Sequence, residues 1–129
     1  MENISSLSSR VSRSVSPENF TGEKGKGGMA TEGTGAGAAR ELGQGWKVSP
    51  SVHIEPGETY VLADIEGEGA IKHIWCTDNA KRNRELIIRI YWDGSEKPSV
   101  EAPLGDFFAS ADLLSYRQLT SLAVCVTHR

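Results

Sequence analysis

Apolar residues recur at every second position along most of the chain from Trp46 onward, and this period predicts β-strands rather than helices. The strands that it predicts cover residues 46–54, 60–65, 71–77 and 86–92. Turn signals separate them, namely "PGET", "EGEG" and "NAKRN". Short strands with turns at fairly regular spacing predict an all-β fold of the sandwich or jelly-roll kind, although they do not predict the order of the strands.

The faces of two predicted strands follow from the same period. One face of the first strand holds Trp46, Val48, Val52 and Ile54, and one face of the fourth holds Leu86, Ile88, Ile90 and Trp92. Residues 71–76 and 86–91 carry apolar side chains on both faces, which is typical of strands covered on two sides. A core formed by residues 46–126 alone is small. We therefore expect either further residues of a longer chain or a partner subunit to cover the remaining apolar faces of these strands.

The stretch "YWDGSEKPSVEAPLGDFF", Tyr91 to Phe108, holds the densest turn signals. The Asp93-Gly94 pair predicts a turn between two strands, and Ser99 to Leu104 is the predicted returning strand. A last strand is predicted over Ser121 to Val126.

The first third of the chain has a different composition. Residues 1–45 contain almost no apolar run, and nine of the 14 glycines lie between Gly22 and Gly45. Ala38 to Gly43 predicts one or two helical turns that end at a glycine cap. We therefore predict two regions, a polar, Gly-rich N-terminal arm and loop over 1–45 and a partial jelly-roll β-sandwich over 46–129.

The charge and the cysteines narrow the class of protein. A net charge of −3 and a pI of about 5.6 argue against nucleic acid or an anionic membrane as partner. No apolar run approaches the ~20 residues of a membrane span, and the N-terminus lacks the apolar core of a secretory signal. Cys76 and Cys125 lie inside predicted strands, which indicates buried, reduced thiols in a cytoplasmic protein.

Phosphate, metal and cofactor sites have no support in the motifs. The Gly-rich loop contains no G-x-x-x-x-G-K-[ST] pattern and does not follow a buried strand. His53, His73 and His128 are isolated, and no C-x-x-C or H-E-x-x-H spacing occurs. A serine triad stays open in principle because triads assemble in space, but nothing resembles G-x-S-x-G. We expect neither a metal nor a cofactor.

Carboxylates and aromatic residues provide the remaining candidate chemistry. The acids at predicted turns and strand ends are Asp64, Asp93, Glu96, Glu101 and Asp106, and the aromatic residues near them are Trp75, Tyr91, Trp92, Phe107 and Phe108. Sugar sites use this mixture, because aromatic faces pack on sugar rings and paired carboxyls supply acid, base or nucleophile. Structural explanations compete, since the tryptophans suit a core and Asp93 suits a turn. Asp106 lies between Gly105 and two phenylalanines, and of the five acids it is the hardest to explain as an ordinary solvent-exposed surface residue.

Four long motifs carry a resemblance to a known family. They are "SPENFTGEKGKGGMA", "LGQGWKVSPSVHIEPGETYVLADIEGEGAIKHIW", "RIYWDGSEKPSVEAPLGDFFA" and "YRQLTSLAVCV". Together, from about Arg13 to Val126, they resemble the N-terminal part of the domain-of-unknown-function 2961 proteins, a family that overlaps glycoside hydrolase family 172. The resemblance implies a jelly-roll architecture, with two jelly rolls in each full-length subunit and assembly into trimers or multiples of trimers.

The resemblance also implies an activity. Its members act on fructofuranosides or arabinofuranosides by a retaining mechanism with two glutamates, at sites close to subunit contacts. No residue of this chain matches that glutamate pair, so no catalytic residue is assigned here. Because members continue beyond the "SLAVCV" strand, we expect a truncated or frameshifted member that lacks the pair. The alternative is a non-catalytic β-sandwich that binds carbohydrate or another subunit.

The candidate substrate-binding residues combine both lines of reasoning. They are Trp75, Trp92, Asp106 and Phe107, together with Glu18 and the loop that follows it to Gly28. A furanoside is the expected ligand.

Overall fold

The computed structural model describes residues 9–78, 82 and 84–109, together with the backbone of residues 119–120 and 125–126. The chain forms two compact units, Met1–Gly69 and Ala70–Arg129. The elements in order are α1 (Ala36–Ala39), β1 (Ile87–Ile90), β2 (Val100–Pro103), α2 (Leu104–Phe107), β3 (Leu119–Thr120) and β4 (Cys125–Val126). The predicted boundary between residues 45 and 46 stays a prediction.

The centre of the second unit is an antiparallel hairpin formed by β1 and β2. Ile87 faces Pro103 and Ile90 faces Val100. The Ser99 N–H donates to the Ile90 carbonyl at one end (2.8 Å), and the Leu104 N–H donates to the Leu86 carbonyl at the other (2.8 Å). The predicted pairing of these two segments is confirmed.

The turn that follows β1 uses Asp93 and Gly94, as predicted. Both residues have a positive φ, 53° and 70°, which is the combination that a type I′ turn requires. The Ser95 N–H closes the turn on the Trp92 carbonyl at 3.0 Å. Asp93 is therefore a turn residue in this structure.

Side chains of β1 alternate between buried or half-buried positions and solvent-exposed positions. Ile88 is buried and Ile90 is half-buried, whereas Ile87 and Arg89 are exposed. On the exposed face Arg89 pairs with Glu101 directly across the hairpin, with 2.6 Å between Nε and Oε2. Opposite charges that face each other across a strand pair stabilise its register.

A single helical turn, α2, follows β2 without a break. Pro103 precedes it, and Gly105 is buried within it. The Phe108 N–H donates to the Leu104 carbonyl (3.2 Å), and the Ala109 N–H donates to the Asp106 carbonyl (3.0 Å). The "GDFF" motif is thus a helical turn fixed to the base of the hairpin.

The first unit is built on a seam between the Gly-rich loop and residues 47–51. The Gly35 N–H donates to the Val48 carbonyl at 2.8 Å. One residue earlier, the Thr34 hydroxyl lies 2.7 Å from the Ser51 hydroxyl and 3.2 Å from the Ser51 carbonyl. Two further bonds close the loop, from Gly45 N–H to the Gly28 carbonyl and from the Gln44 side chain to the Met29 carbonyl.

Two glycines make this seam possible. A Cβ at Gly33 would lie 2.5 Å from the Ser49 Cβ, and a Cβ at Gly35 would lie 2.7 Å from the Lys47 carbonyl oxygen and 2.8 Å from Cδ of Pro50. These separations are shorter than van der Waals contact, so the two backbones can approach only where no side chain intervenes.

The helix in the first unit begins earlier than predicted. α1 covers Ala36–Ala39 and Arg40 caps it, so the prediction of a helix over 38–43 was wrong in position. The cause is the seam, because the bond between Gly35 and Val48 fixes the residue from which the helix starts. Gly43 has a φ of 73°, and it lies beyond a turn closed by the Leu42 N–H on the Ala39 carbonyl.

Residues 46–78, all of them described, contain no β-strand, although three were predicted there. The predicted face is still visible in the burial, since Val48 is buried and Val52 and Ile54 are half-buried between exposed neighbours. Extended backbone becomes a β-strand only when its N–H and C=O groups pair with those of a neighbouring segment. No such ladder of backbone hydrogen bonds forms in residues 46–78. For the same reason Cys76 is exposed, and the prediction that it is buried was wrong.

The remaining predictions fall on the end of the chain. Of the predicted strand over 121–126, residues 125–126 form β4, which pairs antiparallel with β3; residues 121–124 lie outside the described part. The side chain of Cys125 also lies outside it. Within the described residues, no helix has the length and apolar character to cross a bilayer.

The seam predicts unequal effects of three glycine-to-alanine substitutions. Gly33→Ala and Gly35→Ala should each lower the free energy of unfolding by about 1–3 kcal/mol, because the new methyl group overlaps residues 47–50. Gly37→Ala is the matched control, since nothing lies within 4 Å of the position that its new methyl group would take and it sits inside α1. It should raise stability by about 0.5–1 kcal/mol. Urea unfolding followed by tryptophan fluorescence measures all three, and equal effects would contradict the seam.

Candidate functional site

Three of the five predicted substrate-binding residues lie on the hairpin and its helical turn. Trp92 follows β1 by two residues, and Asp106 and Phe107 lie in α2. Because the strands are antiparallel, Trp92 is near the turn and Asp106 is near the base. At about 3.4 Å per residue, Trp92 lies about 17 Å along the strand from Ile87, which marks the base. The structure brings Asp106 and Phe107 together and does not bring Trp92 to them.

Asp106 is held by a cation from the opposite side of the hairpin. Its Oδ2 accepts a hydrogen bond from Nη2 of Arg84 at 3.0 Å, and 31% of its side chain is exposed. Its Oδ1 is shielded from solvent and has no hydrogen-bond partner within the described part of the chain. A shielded carboxylate oxygen without a donor is unfavourable unless a ligand or water supplies one.

Sequence reasoning missed Arg84, which lies before β1. The strand register pairs Ile87–Ile90 with Val100–Pro103 and sets Arg89 opposite Glu101, so an aligned hairpin would have predicted that ion pair. Asp106 lies in α2, beyond the end of the register, so its pairing with Arg84 depends on how the helical turn packs at the base of the hairpin.

Phe107 is engaged with its neighbour. The rings of Phe107 and Phe108 meet edge to face, with 5.0 Å between centroids and 88° between planes, and both residues are half-buried. This geometry is a favourable aromatic pairing, so Phe107 forms part of the packing at the hairpin base.

Trp75 and Trp92 are not core residues in this structure. The exposed fraction is 70% for Trp75 and 47% for Trp92, and Tyr91 beside it is also exposed. The competing interpretation of these tryptophans as core residues was therefore wrong, because residues 71–77 have no covering strand and Trp92 lies beyond the end of β1, next to the turn. Exposed indole faces are the surfaces on which sugar rings stack.

Glu18 belongs to the first unit and ties the N-terminal arm to the seam. It lies in a tight turn closed by two backbone hydrogen bonds between Ser16 and Asn19, of 3.1 and 2.8 Å. Its Oε1 accepts a hydrogen bond from the Ser49 N–H, while its Oε2 is shielded from solvent without a partner in the described residues. Its contacts are those of a residue that anchors the arm.

Within the described part of the chain, the nucleophilic and metal-binding side chains form no site of their own. Cys76 is exposed as a residue, but partial burial of its thiol, and after it the charge of Asp78, raise the pKa of that thiol above its usual value. Less thiolate is then present at neutral pH, so this cysteine is not activated. Nε2 of His53 lies 3.1 Å from Oε1 of Glu55 on the surface. Among the described residues, no group of three or more His, Cys, Asp or Glu could hold a metal ion.

Comparison with protein families identifies the class. Residues 31–123 match the family model for the GH172 first beta-sandwich domain, which is most of the chain. The protein therefore belongs to glycoside hydrolase family 172, and the matched part is its first β-sandwich domain. The predicted family and the β-sandwich class are confirmed; the jelly-roll topology and the roles of the five predicted residues stay predictions. None of the curated proteins compared with the chain matches it.

The pair of Arg84 and Asp106 predicts a measurable coupling. In a double-mutant cycle with Arg84→Gln and Asp106→Asn, the coupling free energy should be about 0.5 kcal/mol, because both side chains are partly in solvent. The control cycle uses Arg40→Gln and Glu41→Gln, whose charged atoms lie 3.8 Å apart and are more exposed. It should show no coupling by urea unfolding. Coupling of equal size in both cycles would contradict the specific pairing.

Proposed function

We propose that this chain is a sugar-binding domain of a furanoside-active glycoside hydrolase and that it does not carry the catalytic glutamate pair. The observation that carries the proposal is the family match over residues 31–123. The matched range contains Trp75, Trp92, Asp106 and Phe107, four of the five residues that the sequence singled out for sugar contact.

The contacts of the hairpin acids support a binding role over a catalytic one. A retaining glycosidase needs two carboxyl groups about 5–5.5 Å apart, one as nucleophile and one as acid and base. On the hairpin, Glu101 faces Arg89 and Asp106 faces Arg84. Each of these acids is thus matched with a cation and not with a second carboxyl group.

The exposed indoles support a surface that binds sugar by stacking. A sugar ring has one face of C–H groups that packs on an aromatic ring, while its hydroxyls bond to polar neighbours. Trp92 lies next to the Asp93-Gly94 turn and has its side chain in solvent. Because Trp92 and Asp106 lie at opposite ends of the hairpin, we assign them to different parts of a bound oligosaccharide.

Exposed apolar residues favour a second role, contact with further sandwich strands or with another subunit. In the first unit Val61, Leu62 and Ile65 are all largely in solvent. Val61 and Ile65 share one parity and Leu62 has the other, and large apolar side chains of this type are normally covered in a sandwich. The trimer-based assembly implied by the family resemblance is part of this proposal.

Hydrolysis measurements test the absence of the catalytic pair. The purified 129-residue chain should not release para-nitrophenol from para-nitrophenyl arabinofuranoside above the rate of buffer alone. Turnover of about 1 s⁻¹ or faster, as is typical of enzymes, would show that the chain itself carries catalytic groups.

Binding measurements test the sugar-binding surface. Titration with an arabinofuranose oligosaccharide should quench tryptophan fluorescence, and Trp92→Ala and Trp75→Ala should each weaken binding about fivefold through lost stacking. Trp46→Ala is the matched control, because Trp46 is similarly exposed and was not assigned to the site. Equal weakening by all three variants, or no binding by the unmodified chain, would contradict the proposal.

A further inference from the structure

The first unit contains an open cavity of about 130 Å³ that none of the predicted site residues lines. Burial divides its lining in two: Ala39 and Val48 are buried and Ala36 is half-buried, and these three form the floor, whereas the exposed lining residues form the rim, namely Thr31, Arg40, Gly43 and Gln44. It lies between the Gly-rich loop and the segment that the seam holds against that loop.

The floor is apolar and fixed in place. Ala39 and Val48 are two of the three buried apolar residues of the described chain. Val48 accepts the seam hydrogen bond from Gly35, and the Ala39 N–H donates to the Gly35 carbonyl at 3.0 Å. One glycine thus ties both floor residues together, and the small alanine side chains leave the space above them open.

The rim presents both donors and acceptors. Nε2 of Gln44 donates to the Met29 carbonyl at 2.7 Å, which leaves Oε1 as an acceptor. Nη1 of Arg40 donates to the Gly37 carbonyl at 2.7 Å, and a guanidinium has four further N–H groups. The Thr31 hydroxyl can do either.

These features select a neutral polyhydroxy ligand. An apolar floor matches the C–H face of a sugar ring, and a rim with donors and acceptors matches its hydroxyls. Nε of Arg40 lies 3.8 Å from Oε1 of Glu41, a residue outside the lining, so the cation at the rim is partly offset by a neighbouring anion and does not favour an anionic ligand. The volume is close to that of an apolar cavity of about 150 Å³ that accepts one benzene ring, and it is smaller than the roughly 300 Å³ of a pocket for a larger ligand.

We propose that this cavity is a separate subsite, within the first unit, for one furanose ring of a furanoside ligand. The proposal rests on the proposed function, because it takes the ligand class from a furanoside-active domain. It adds three residues, Thr31, Arg40 and Gln44, to which no binding role was assigned from the sequence, and it extends the candidate binding segment of the Gly-rich loop beyond Gly28.

Nuclear magnetic resonance of the full 129-residue chain tests the subsite with methyl arabinofuranoside as probe. The backbone amide signals of Thr31, Gln44 and Val48 should shift in a saturable way. Thr31→Val keeps the side-chain volume and removes the hydroxyl, so it should weaken binding about fivefold. Ala39→Leu fills the cavity and should abolish these shifts.

The control is Gly37→Ala, which lies in the same helix, does not line the cavity and should bind the probe like the unmodified chain. If circular dichroism shows that Ala39→Leu does not fold, the affinity of Thr31→Val for the probe decides whether the cavity is the subsite. Shifts confined to residues 86–108 would overturn the subsite and leave the proposed function standing. Shifts nowhere would overturn the subsite, while the oligosaccharide titration decides the proposed function separately. Equal affinity for methyl glucopyranoside would overturn the assignment to a furanose.

Discussion

Extended segments of this protein are held in place where a neighbouring segment forms hydrogen bonds with their backbone N–H and C=O groups. In the first unit that neighbour is the Gly-rich loop, which lies against residues 47–51 because Gly33 and Gly35 have no side chain to hold the two backbones apart. In the second unit β1 and β2 are neighbours of each other. Between these two pairings, residues 55–77 have no ladder, and many of their apolar side chains, such as Val61, Leu62, Ile65 and Trp75, lie largely in solvent. This distribution explains why the surfaces of the two units are rich in apolar groups.

The same pairing organises the candidate chemistry. The hairpin register sets Arg89 opposite Glu101, and the helical turn at the base of the hairpin sets Asp106 beside Arg84, so these two acids are matched with cations. It also places Trp92 and Asp106 at opposite ends of the hairpin. The resulting surface suits an extended ligand with several contact points better than a single ring with a pair of carboxyls. In the first unit the seam both fixes α1 and creates the cavity above Ala39 and Val48.

The predictions that succeeded depend on short-range rules. Asp93-Gly94 adopts the turn that this pair favours, and the segments on either side of it pair as the alternating pattern indicates. The helix over 38–43 was misplaced because a contact with Val48, more than ten residues away, fixes its start at Gly35. The prediction that Cys76 is buried failed for a related reason. The alternating pattern shows which face of a strand should be covered, but burial also needs a second layer of chain to cover that face.

The sequence by itself determined the family, the β class, the hairpin turn and the residue types suited to sugar, because motifs, turn preferences and period two are local properties of the chain. Only the tertiary structure decided the partners of those residues. It paired Asp106 with Arg84, anchored Glu18 to Ser49, and exposed Trp75 and Trp92. It also formed a cavity from Thr31, Arg40 and Gln44, which share no motif. Such contacts depend on how distant segments pack, and packing is set by strand register and by backbone approach at glycine rather than by the order of residues alone.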